Sequence, residues 1–464
     1  MSAEVARRVA VVGGGGFRTP RLLYGLLRHA DALGLETVAL YDRDPARARI
    51  MARIGARLPQ TGSRRVSIEV AESLAEAVSA AAHVLVTIRP GGEMGRVHDE
   101  RASLDCGVLG QETVGPGGFF LALRTIAALS ELLPAIRAVN PRAWVINFAN
   151  PVGIVSEAVL AEGVDRFVGV CDTPHHLQQE LAHFLALPPE DLRAETVGLN
   201  HLGWFLALFH GERDLLPVIL ERLPEVQARV RPLSFFRADE IRSVDALPTE
   251  YVYLYQHAGE VARRISRAAS RGAQVAERSG AFFARASKLA AAHEDDALLP
   301  LYCETLAGRS NSYFQEETGT PVNRGLDPAT ILSTESYERV AIDTMLGLAG
   351  QGGGRPVILN VRHGGAAGSI LPADAVMELS CRVDPAGPVP IGLTRPVREP
   401  IPSLVQTLKH YEWATVEAAR IRTEDAAVEA LALNPLVAGR DLARALVRRR
   451  QELPAGPLFA KTVS

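Results

Sequence analysis

Two residues of this chain, Cys171 in GVCDTP and His201 in GLNHLGW, carry side chains that can bind a transition metal. A thiolate and a neutral imidazole together suit a borderline divalent ion such as manganese, iron, cobalt, nickel or zinc. Two protein ligands would leave coordination positions open for water and for substrate hydroxyls. The spacing does not decide between such a site and a cysteine packed as a small apolar residue with an unrelated loop histidine.

A second chemical feature is the glycine run VVGGGGFRTP, which stands where a first strand would meet a first helix. Glycines there let a pyrophosphate approach backbone N–H groups at a helix N-terminus. The full GxGxxG spacing is absent, since Arg18 holds the third glycine position, so a plain glycine turn is the alternative. The residues that would line a dinucleotide are Gly13, Gly14, Gly15, Gly16, Phe17 and Arg18.

The predicted second strand ends in YDRDP, where Asp42 could bind the ribose hydroxyls of a dinucleotide. An acidic residue at this place disfavours a 2′-phosphate, so NAD is preferred to NADP. The alternative for Asp42 is an ordinary turn residue.

The elements that would position these residues alternate in the first third of the chain. Short β-branched runs, RVAVVGG, TVALYD, HVLVTIRP, AWVINFANP and FVGVC, are separated by amphipathic stretches. This rhythm predicts a parallel sheet covered by helices. From about residue 195 we predict helices around 214–230, 256–295 and 330–350, strands at PVILNVRH and VMELSCRV, and a helical tail over 403–433. The pattern indicates an α/β protein with a Rossmann-type nucleotide domain over 1–195 and an α+β domain for substrate, metal and oligomerisation over 196–464.

Composition excludes several classes of function. Basic and acidic residues nearly balance, at 50 against 53, and they are interspersed, so we expect no nucleic-acid partner. The longest apolar stretches, such as AAHVLVTI, fall short of the ~20 residues of a membrane span. A strand at the N-terminus leaves no room for a signal peptide. We therefore expect a soluble cytoplasmic protein, without a membrane partner, whose four cysteines remain thiols.

Six runs of the chain together resemble glycoside hydrolase family 4, the NAD- and metal-dependent glycosidases. They are IRPGG, GVLGQETVGPGGF, NFANPVGIVSEA, VGVCDTP, GLNHLGW and NVRHGGAAGSILPADAVMEL. The resemblance implies a fold similar to the lactate and malate dehydrogenases, and we expect a homodimer or homotetramer. It also implies a chemistry that departs from the two-carboxylate rule of glycosidases. The sugar 3-hydroxyl is oxidised, a tyrosine removes the acidified C2 proton, the aglycone is eliminated, water adds, and the ketone is reduced again.

The resemblance assigns roles to residues at the matching positions. It implies that Cys171 and His201 bind the divalent metal, usually manganese, and that Tyr251 in LPTEYVYLY is the base. Other tyrosines lie two and four positions further on, so the base could instead be a neighbour. Asn150 in NFANP is similar to a residue that binds substrate hydroxyls, and Asn200 would support the metal site.

Asp172 occupies a position that resembles a subfamily marker. Asn stands there in 6-phospho-β-glucosidases, Asp in 6-phospho-α-glucosidases, and His in α-galactosidases and α-glucuronidases. The runs IRPGG and GLNHLGW look closer to the β-type members, and we weight them above the single residue. We therefore predict a 6-phospho-β-glucosidase, with a 6-phospho-α-glucosidase or a non-phosphorylated α-glycosidase as alternatives. The Asp172 carboxyl would protonate a leaving oxygen or bind a sugar hydroxyl.

Two arginines are candidates for the 6-phosphate. Arg89 stands beside two glycines in IRPGG, where a guanidinium and backbone N–H groups could fork a phosphate. Pairing with an acidic residue is the alternative. Arg309 in AGRSNSY is the second candidate, although the sequence differs from the RGGAYYS form common in the family, so phosphate selectivity stays open.

Two other classes of protein are weighed against the glycosidase. An NAD-dependent 2-hydroxyacid dehydrogenase of the lactate/malate type would need a catalytic His–Asp pair and no cysteine ligand. A non-catalytic NAD-binding sensor would predict loss of Cys171, His201 or Tyr251, and all three are present. The sequence therefore favours the glycosidase.

Overall fold

The computed structural model describes residues 7–265, 270–319, 325–332, 337–454 and 458–459. The strands are β1 (Arg8–Val12), β2 (Thr37–Tyr41), β3 (Ser67–Val70), β4 (His83–Val86), β5 (Trp144–Asn147), β6 (Phe167–Gly169), β7 (Leu192–Leu199), β8 (Leu202–His210), β9 (Arg213–Asp214), β10 (Leu247–Pro248), β11 (Val357–Arg362), β12 (Val376–Asp384) and β13 (Gly387–Pro390).

The helices of the first half are α1 (Thr19–Arg28), α2 (Ala30–Leu33), α3 (Pro45–Gly55), α4 (Leu74–Val78), α5 (Gly92–Asp105), α6 (Pro116–Val139), α7 (Val152–Ala161), α8 (Thr173–Phe184), α9 (Leu216–Glu221) and α10 (Leu223–Arg229). Those of the second half are α11 (Ala238–Val244), α12 (Val252–Gln256), α13 (Ala258–Ile265), α14 (Arg271–Ala291), α15 (Leu298–Asn311), α16 (Gln315–Thr318), α17 (Tyr337–Leu348), α18 (Ile401–Ile421), α19 (Glu424–Ala432) and α20 (Gly439–Glu452).

The main sheet has nine strands in the order β13-β12-β11-β6-β5-β4-β1-β2-β3. Strands β1 to β6 are mutually parallel and run 3-2-1-4-5-6, which is the order of a dinucleotide-binding sheet. In such sheets a ligand binds at the carboxyl ends of the strands where the order reverses, here between β1 and β4. The predicted α/β fold class is confirmed.

The central parallel strands β1, β4, β5 and β6 are buried on both faces, and successive side chains of a strand point to opposite faces. In β1, Val9 and Val11 belong to the apolar cluster on one face, while Ala10 and Val12 belong to the cluster on the other. The continuous apolar run RVAVV is therefore typical of a strand with helices on both sides.

Three strands of the C-terminal half complete the same sheet. Strand β11 lies antiparallel to β6 through the pair Asn360 and Gly169, and β12 and β13 follow, each antiparallel to its neighbour. The predicted strands at PVILNVRH and VMELSCRV are present, but they extend the first sheet across the proposed boundary at residue 195. The division into 1–195 and 196–464 stays a prediction.

A second sheet of four strands is built on the β7–β8 hairpin, with β10 and β9 paired to β8. Strand β7 packs beside β12 of the main sheet: the Ser380 hydroxyl donates to the carbonyl of Ala194 at 2.7 Å. The tip of this hairpin is thereby brought to the carboxyl ends of the parallel strands.

Several predicted helices are interrupted in the structure. The region 214–230 forms α9 and α10, which meet at Arg222. The region 256–295 contains α12, α13 and α14, with 266–269 outside the described residues, and 330–350 contains α17, with 333–336 outside them. The tail is two helices, because Arg422 adopts φ = 60° between α18 and α19.

Helix α6 is long and apolar enough to cross a membrane by length and composition, which our estimate of the apolar stretches missed. Its apolar character has another cause in this fold, since 56% of its most apolar window is buried inside the protein. The helix packs against α5, α7 and α18, as a core helix does.

Candidate active site

The two candidate metal ligands come from different sheets. Cys171 lies two residues after the last residue of β6, at the carboxyl end of a parallel strand. His201 lies at the tip of the β7–β8 hairpin, whose ladder closes on the pair Leu199 and Leu202. Its φ of 63° is uncommon for a residue with a side chain, and of the two tip residues, Asn200 and His201, only His201 has a positive φ.

The donor atoms of these two residues face each other. Cys171 Sγ and His201 Nε2 are 3.5 Å apart, and both side chains are buried. A sulfur bonded at ~2.3 Å and a nitrogen at ~2.0–2.1 Å to one tetrahedral ion would lie ~3.6 Å apart. The pair therefore fits a shared metal ion. Among the described residues, no group of three or more His, Cys, Asp or Glu is placed to hold one, so two ligands are what this part of the chain offers.

Thr113 orients the imidazole of His201, and sequence reasoning did not identify it. Its Oγ1 lies 2.7 Å from His201 Nδ1 and 3.2 Å from Gln111 Oε1. The hydroxyl can donate to Gln111 and accept from Nδ1–H, which leaves the Nε2 lone pair for the metal. Burial lowers the pKa of His201 to about 4, so the ring is neutral at physiological pH.

Burial shifts the pKa of the Cys171 thiol in the opposite direction from that of His201. Burial raises its pKa well above the ordinary value, and the nearby carboxylates of Glu378 and Asp172 raise it further. The residue is therefore a thiol until a cation arrives, and metal binding would release its proton.

Tyr251 lies against the same histidine. Its ring stacks on the His201 imidazole with the centroids 3.9 Å apart and the planes at 9°. Its hydroxyl is 3.1 Å from the hydroxyl of Tyr313, which is 2.7 Å from Glu250 Oε1. Burial raises the pKa of the Tyr251 phenol well above its ordinary value, and the charge of Glu250 adds to this.

The neighbouring tyrosine of LPTEYVYLY points elsewhere. Tyr253 packs against Phe235, Phe236 and His257. Of these two tyrosines, Tyr251 is the one that stacks on a metal-ligand candidate.

A buried carboxyl, Glu378 of β12, lies beneath the ligand pair, and sequence reasoning missed it. Its Oε1 accepts a hydrogen bond of 3.0 Å from Asn200 Nδ2 and another of 3.0 Å from Asn360 Nδ2. Burial raises its pKa to about 7, although both hydrogen bonds act to lower it. The only signal in the sequence is an acidic residue inside the apolar run VMELS.

Asp172 and Asn150 border the same region. Asp172 is the N-cap residue of α8, and its charge acts on both Cys171 and Glu378. Asn150 follows β5, and its backbone carbonyl accepts from the Thr125 hydroxyl at 2.8 Å.

The glycine run lies at the reversal point of the main sheet. Gly13 has φ = 94°, and a Cβ there would lie 2.8 Å from the backbone of Thr87, so only glycine fits. Asp42 Oδ2 accepts from Gly15 N at 2.8 Å, which ties the run to the end of β2. The hydroxyl of Thr19, at the start of α1, is buried and has no hydrogen-bond partner among the described residues. A phosphate at the helix N-terminus would supply one.

The aromatic ring of Phe17 belongs to a small aromatic cluster. It packs against Phe282 and Tyr302 with the centroids 5.1 Å apart in each case. Arg18 is the N-cap residue of α1.

The two arginines predicted for phosphate binding have different surroundings. Arg89 forms an ion pair with Glu112, which also pairs with Arg96 at 2.7 Å. Burial acts to raise the pKa of Glu112, but the charges of both arginines outweigh it and hold the pKa well below its usual value. For Arg89 the structure thus contains the acidic partner that our alternative interpretation named.

Arg309 lies nearer the glycine run. Its guanidinium is 4.3 Å from the centroid of the Phe17 ring, and Nη1 donates to Ser279 Oγ at 3.1 Å. Burial lowers its pKa to about 9; the charge of Glu93 acts to raise it, and the positive charges of neighbouring arginines act to lower it. A bound anion would act on Arg309 in the same direction as Glu93.

Comparison with known families gives matches over most of the chain. The family model described as family 4 glycosyl hydrolase matches residues 8–187, and the model of that family's C-terminal domain matches residues 196–437.

Known proteins of similar sequence include both anomeric types. A probable 6-phospho-β-glucosidase of Bacillus subtilis (strain 168) is 26% identical over 448 residues, 95% of this chain and 94% of that protein. A phospho-α-glucosidase of Clostridium acetobutylicum is 27% identical over 467 residues, 95% of this chain and 96% of that protein.

A similar solved structure is the 6-phospho-β-glucosidase of Thermotoga maritima with manganese, NAD⁺ and glucose-6-phosphate. It has a TM-score of 0.78 and 26% identity, and the match covers 96% of this chain and 97% of that one.

Proposed function

The chain belongs to the family 4 glycosyl hydrolases, and from this premise we propose that it cleaves 6-phosphorylated β-glucosides with NAD and a divalent metal, manganese before others. The observation that carries the proposal is the contact of three side chains: Cys171 and His201 with facing donor atoms, and Tyr251 stacked on His201. Relatives named 6-phospho-β-glucosidase support the substrate class.

The nucleotide end would hold NAD through backbone and side-chain groups of this chain. NAD would supply reversible oxidation at C3 of the sugar, so that the overall reaction is a hydrolysis. The run from Gly13 to Gly16 offers N–H groups, and the buried hydroxyl of Thr19 offers a donor. Each oxygen of Asp42 accepts one backbone hydrogen bond, from Gly15 or Asp44, and its remaining lone pairs would accept from ribose hydroxyls.

Cys171 and His201 would hold the metal, whose charge would stabilise the oxygens at C2 and C3 as C2 loses its proton. Thr113 keeps the His201 ring in the tautomer that leaves Nε2 free. Asn200 connects the hairpin tip to Glu378 beneath the pair.

Two residues would move protons. Tyr251 would take the C2 proton, since its phenol stacks on a metal ligand and a cation there would oppose the effect of burial on its pKa. Asp172 would give a proton to the leaving oxygen or hold a sugar hydroxyl. Asn150, at the carboxyl end of the neighbouring parallel strand, would bind a second hydroxyl.

The phosphate and the assembly are further parts of the proposal. Arg309, buried near several arginines as well as Glu93, supports binding of an anionic sugar, and Arg89 would bind it only by sharing its guanidinium with Glu112. We also propose a cytoplasmic homodimer or homotetramer.

The test is a panel of nitrophenyl glucosides, α- and β-linked, each with and without a 6-phosphate, assayed with NAD, Mn²⁺ and a reductant. The proposal predicts fastest cleavage of the β-linked 6-phosphate, no cleavage after dialysis against EDTA without NAD, and no net absorbance change at 340 nm. Net NADH formation with a 2-hydroxy acid and no glycoside cleavage would instead identify a dehydrogenase. Full hydrolysis in EDTA without NAD would refute the proposal.

A second candidate is cleavage of the α-linked substrate. The carboxyl of Asp172 lies beside the metal pair, where it acts on Cys171, and a carboxyl at this position resembles the α-type members. Preference for the α-linked 6-phosphate in the same panel would favour it, and preference for a sugar without phosphate would favour the non-phosphorylated α-glycosidase.

A further inference from the structure

We propose that Glu378 is the positioning residue that fixes the two metal ligands at their separation. The inference rests on the assignment of Cys171 and His201 as metal ligands in the proposed function. It concerns a residue of β12 that is remote in sequence from both ligands and is not itself placed to bind the metal.

The two ligands need such a connection because they belong to different sheets. Cys171 follows β6 of the nine-stranded sheet, whereas His201 stands at the tip of a hairpin of the four-stranded sheet. Because His201 lies at the far end of the hairpin, a small change in the angle between the β7–β8 hairpin and the main sheet would change the distance between Cys171 Sγ and His201 Nε2. Two ligands of one metal ion must keep this distance nearly constant, because metal–ligand bond lengths at such sites vary by only about 0.2 Å.

Glu378 supplies the connection through one oxygen. Its Oε1 accepts from Asn200, the residue before His201, and from Asn360 of β11, each at 3.0 Å. Asn360 is paired with Gly169 of β6, two residues before Cys171. A short path of hydrogen bonds therefore joins the His201 tip to the strand end that carries Cys171.

We call Glu378 and its two hydrogen-bond donors, Asn200 and Asn360, the clamp. Tight packing around these side chains restricts their movement. Glu378 is 4% exposed, and a Cβ added at Gly153 would lie 3.0 Å from the Cβ of Asn200, so helix α7 packs directly against that side chain. Residues Val376, Met377 and Leu379 of the same strand are buried and apolar. A buried carboxyl whose hydrogen-bond donors among the described residues are two amides contributes less to stability than an apolar residue would, which points to a positioning role.

The experiment measures binding of Mn²⁺ alone to the full-length chain by calorimetry, and the absorption of the thiolate complex with Co²⁺ alone. Loss of a residue that orients a metal ligand commonly weakens metal binding 10- to 100-fold. We expect that loss, and a changed Co²⁺ spectrum, for Glu378→Ala. Glu378→Gln should stay within about threefold of the unchanged chain, since the amide oxygen can accept the same two hydrogen bonds. NAD affinity should be unchanged in both.

Glu195→Ala is the matched control. Glu195 is a buried carboxyl on β7 of the same hairpin, 2% exposed, and it accepts two hydrogen bonds from Thr394. It should leave Mn²⁺ affinity unchanged. If Glu378→Ala does not fold, Asn360→Ala removes one hydrogen bond of the clamp and should still weaken Mn²⁺ binding several-fold.

Cys171→Ser separates this inference from the function on which it rests. If Cys171→Ser loses Mn²⁺ binding while Glu378→Ala, or Asn360→Ala in its place, keeps it, the clamp is wrong and the metal site stands. If Cys171→Ser binds Mn²⁺ as the unchanged chain does, both are overturned. Equal losses of Mn²⁺ and NAD affinity in Glu378→Ala would show general damage to the fold and would also overturn the clamp.

Discussion

The imidazole of His201 lies flat against the phenol of Tyr251, at 3.9 Å between ring centroids, so a metal ligand and the candidate base share one contact. Replacing Tyr251 with Phe keeps this stacked ring and removes only the hydroxyl. Substrate binding should therefore be spared, while the proton step should slow by about 10²–10⁴-fold, the range for a general base.

The measurement for Tyr251→Phe is isotopic. In D₂O the unchanged enzyme should incorporate deuterium at C2 of the product, and the variant should do so far more slowly. Tyr253→Phe is the control, because Tyr253 packs against Phe235 and Phe236 and not against His201. A product without deuterium at C2 in the unchanged enzyme would exclude the elimination mechanism.

Thr113→Val should weaken Mn²⁺ binding by about 10- to 100-fold, because it removes the hydroxyl that accepts from His201 Nδ1. Thr113→Ser keeps the hydroxyl and should restore most of the affinity. Calorimetric titration of each variant with Mn²⁺ provides the comparison. Identical affinities for Val and Ser would mean that the tautomer of His201 is held by other contacts.

Asp172→Asn should slow cleavage of alkyl glycosides far more than that of nitrophenyl glycosides, since a general acid matters most when the departing oxygen is basic. The ratio of kcat/KM for the two aglycones, with one sugar, measures this. A uniform loss across both aglycones would assign Asp172 to hydroxyl binding only.

His83, buried in β4, should make the fold sensitive to acid. Burial lowers its pKa from 6.5 to about 4, so between these values the unfolded chain binds a proton that the folded chain does not. Stability therefore rises with pH across this window, and the residue destabilises the fold by roughly 3 kcal/mol at pH 4 relative to pH 7.

The variant that tests this is His83→Gln, with the exposed His210→Gln as control. Urea unfolding at pH 4.5 and pH 7 should show a smaller loss of stability at the acidic pH for His83→Gln than for the control. The same pH dependence in both variants would contradict the assignment.

The resemblance to family 4 and the alternating pattern of the first third are confirmed, because both depend on local runs of residues. The glycine run, the strand that ends just before Asp42 and the strand before Cys171 lie where local patterns predicted. Neighbouring residues in the chain are enough to specify such elements.

Relationships between distant segments could not be predicted in this way. The pairing of Arg89 with Glu112 depends on how α5 and the loop before α6 pack, and the hydrogen bonds of Glu378 depend on a strand nearly 180 residues beyond His201. The contact of Thr113 with His201 could likewise not be predicted, because nothing in the sequence around a loop threonine indicates which histidine it orients.

The main sheet has a consequence for synthesis of the protein on the ribosome. Strand β6 pairs on one side with β11, which emerges about 190 residues later in the chain. At 5–20 residues per second, the edge of β6 and the Cys171 that follows it wait roughly 10 to 40 s for this neighbour. An unpaired strand edge can pair with another chain, so the nascent chain carries this hazard until residues 357–362 arrive.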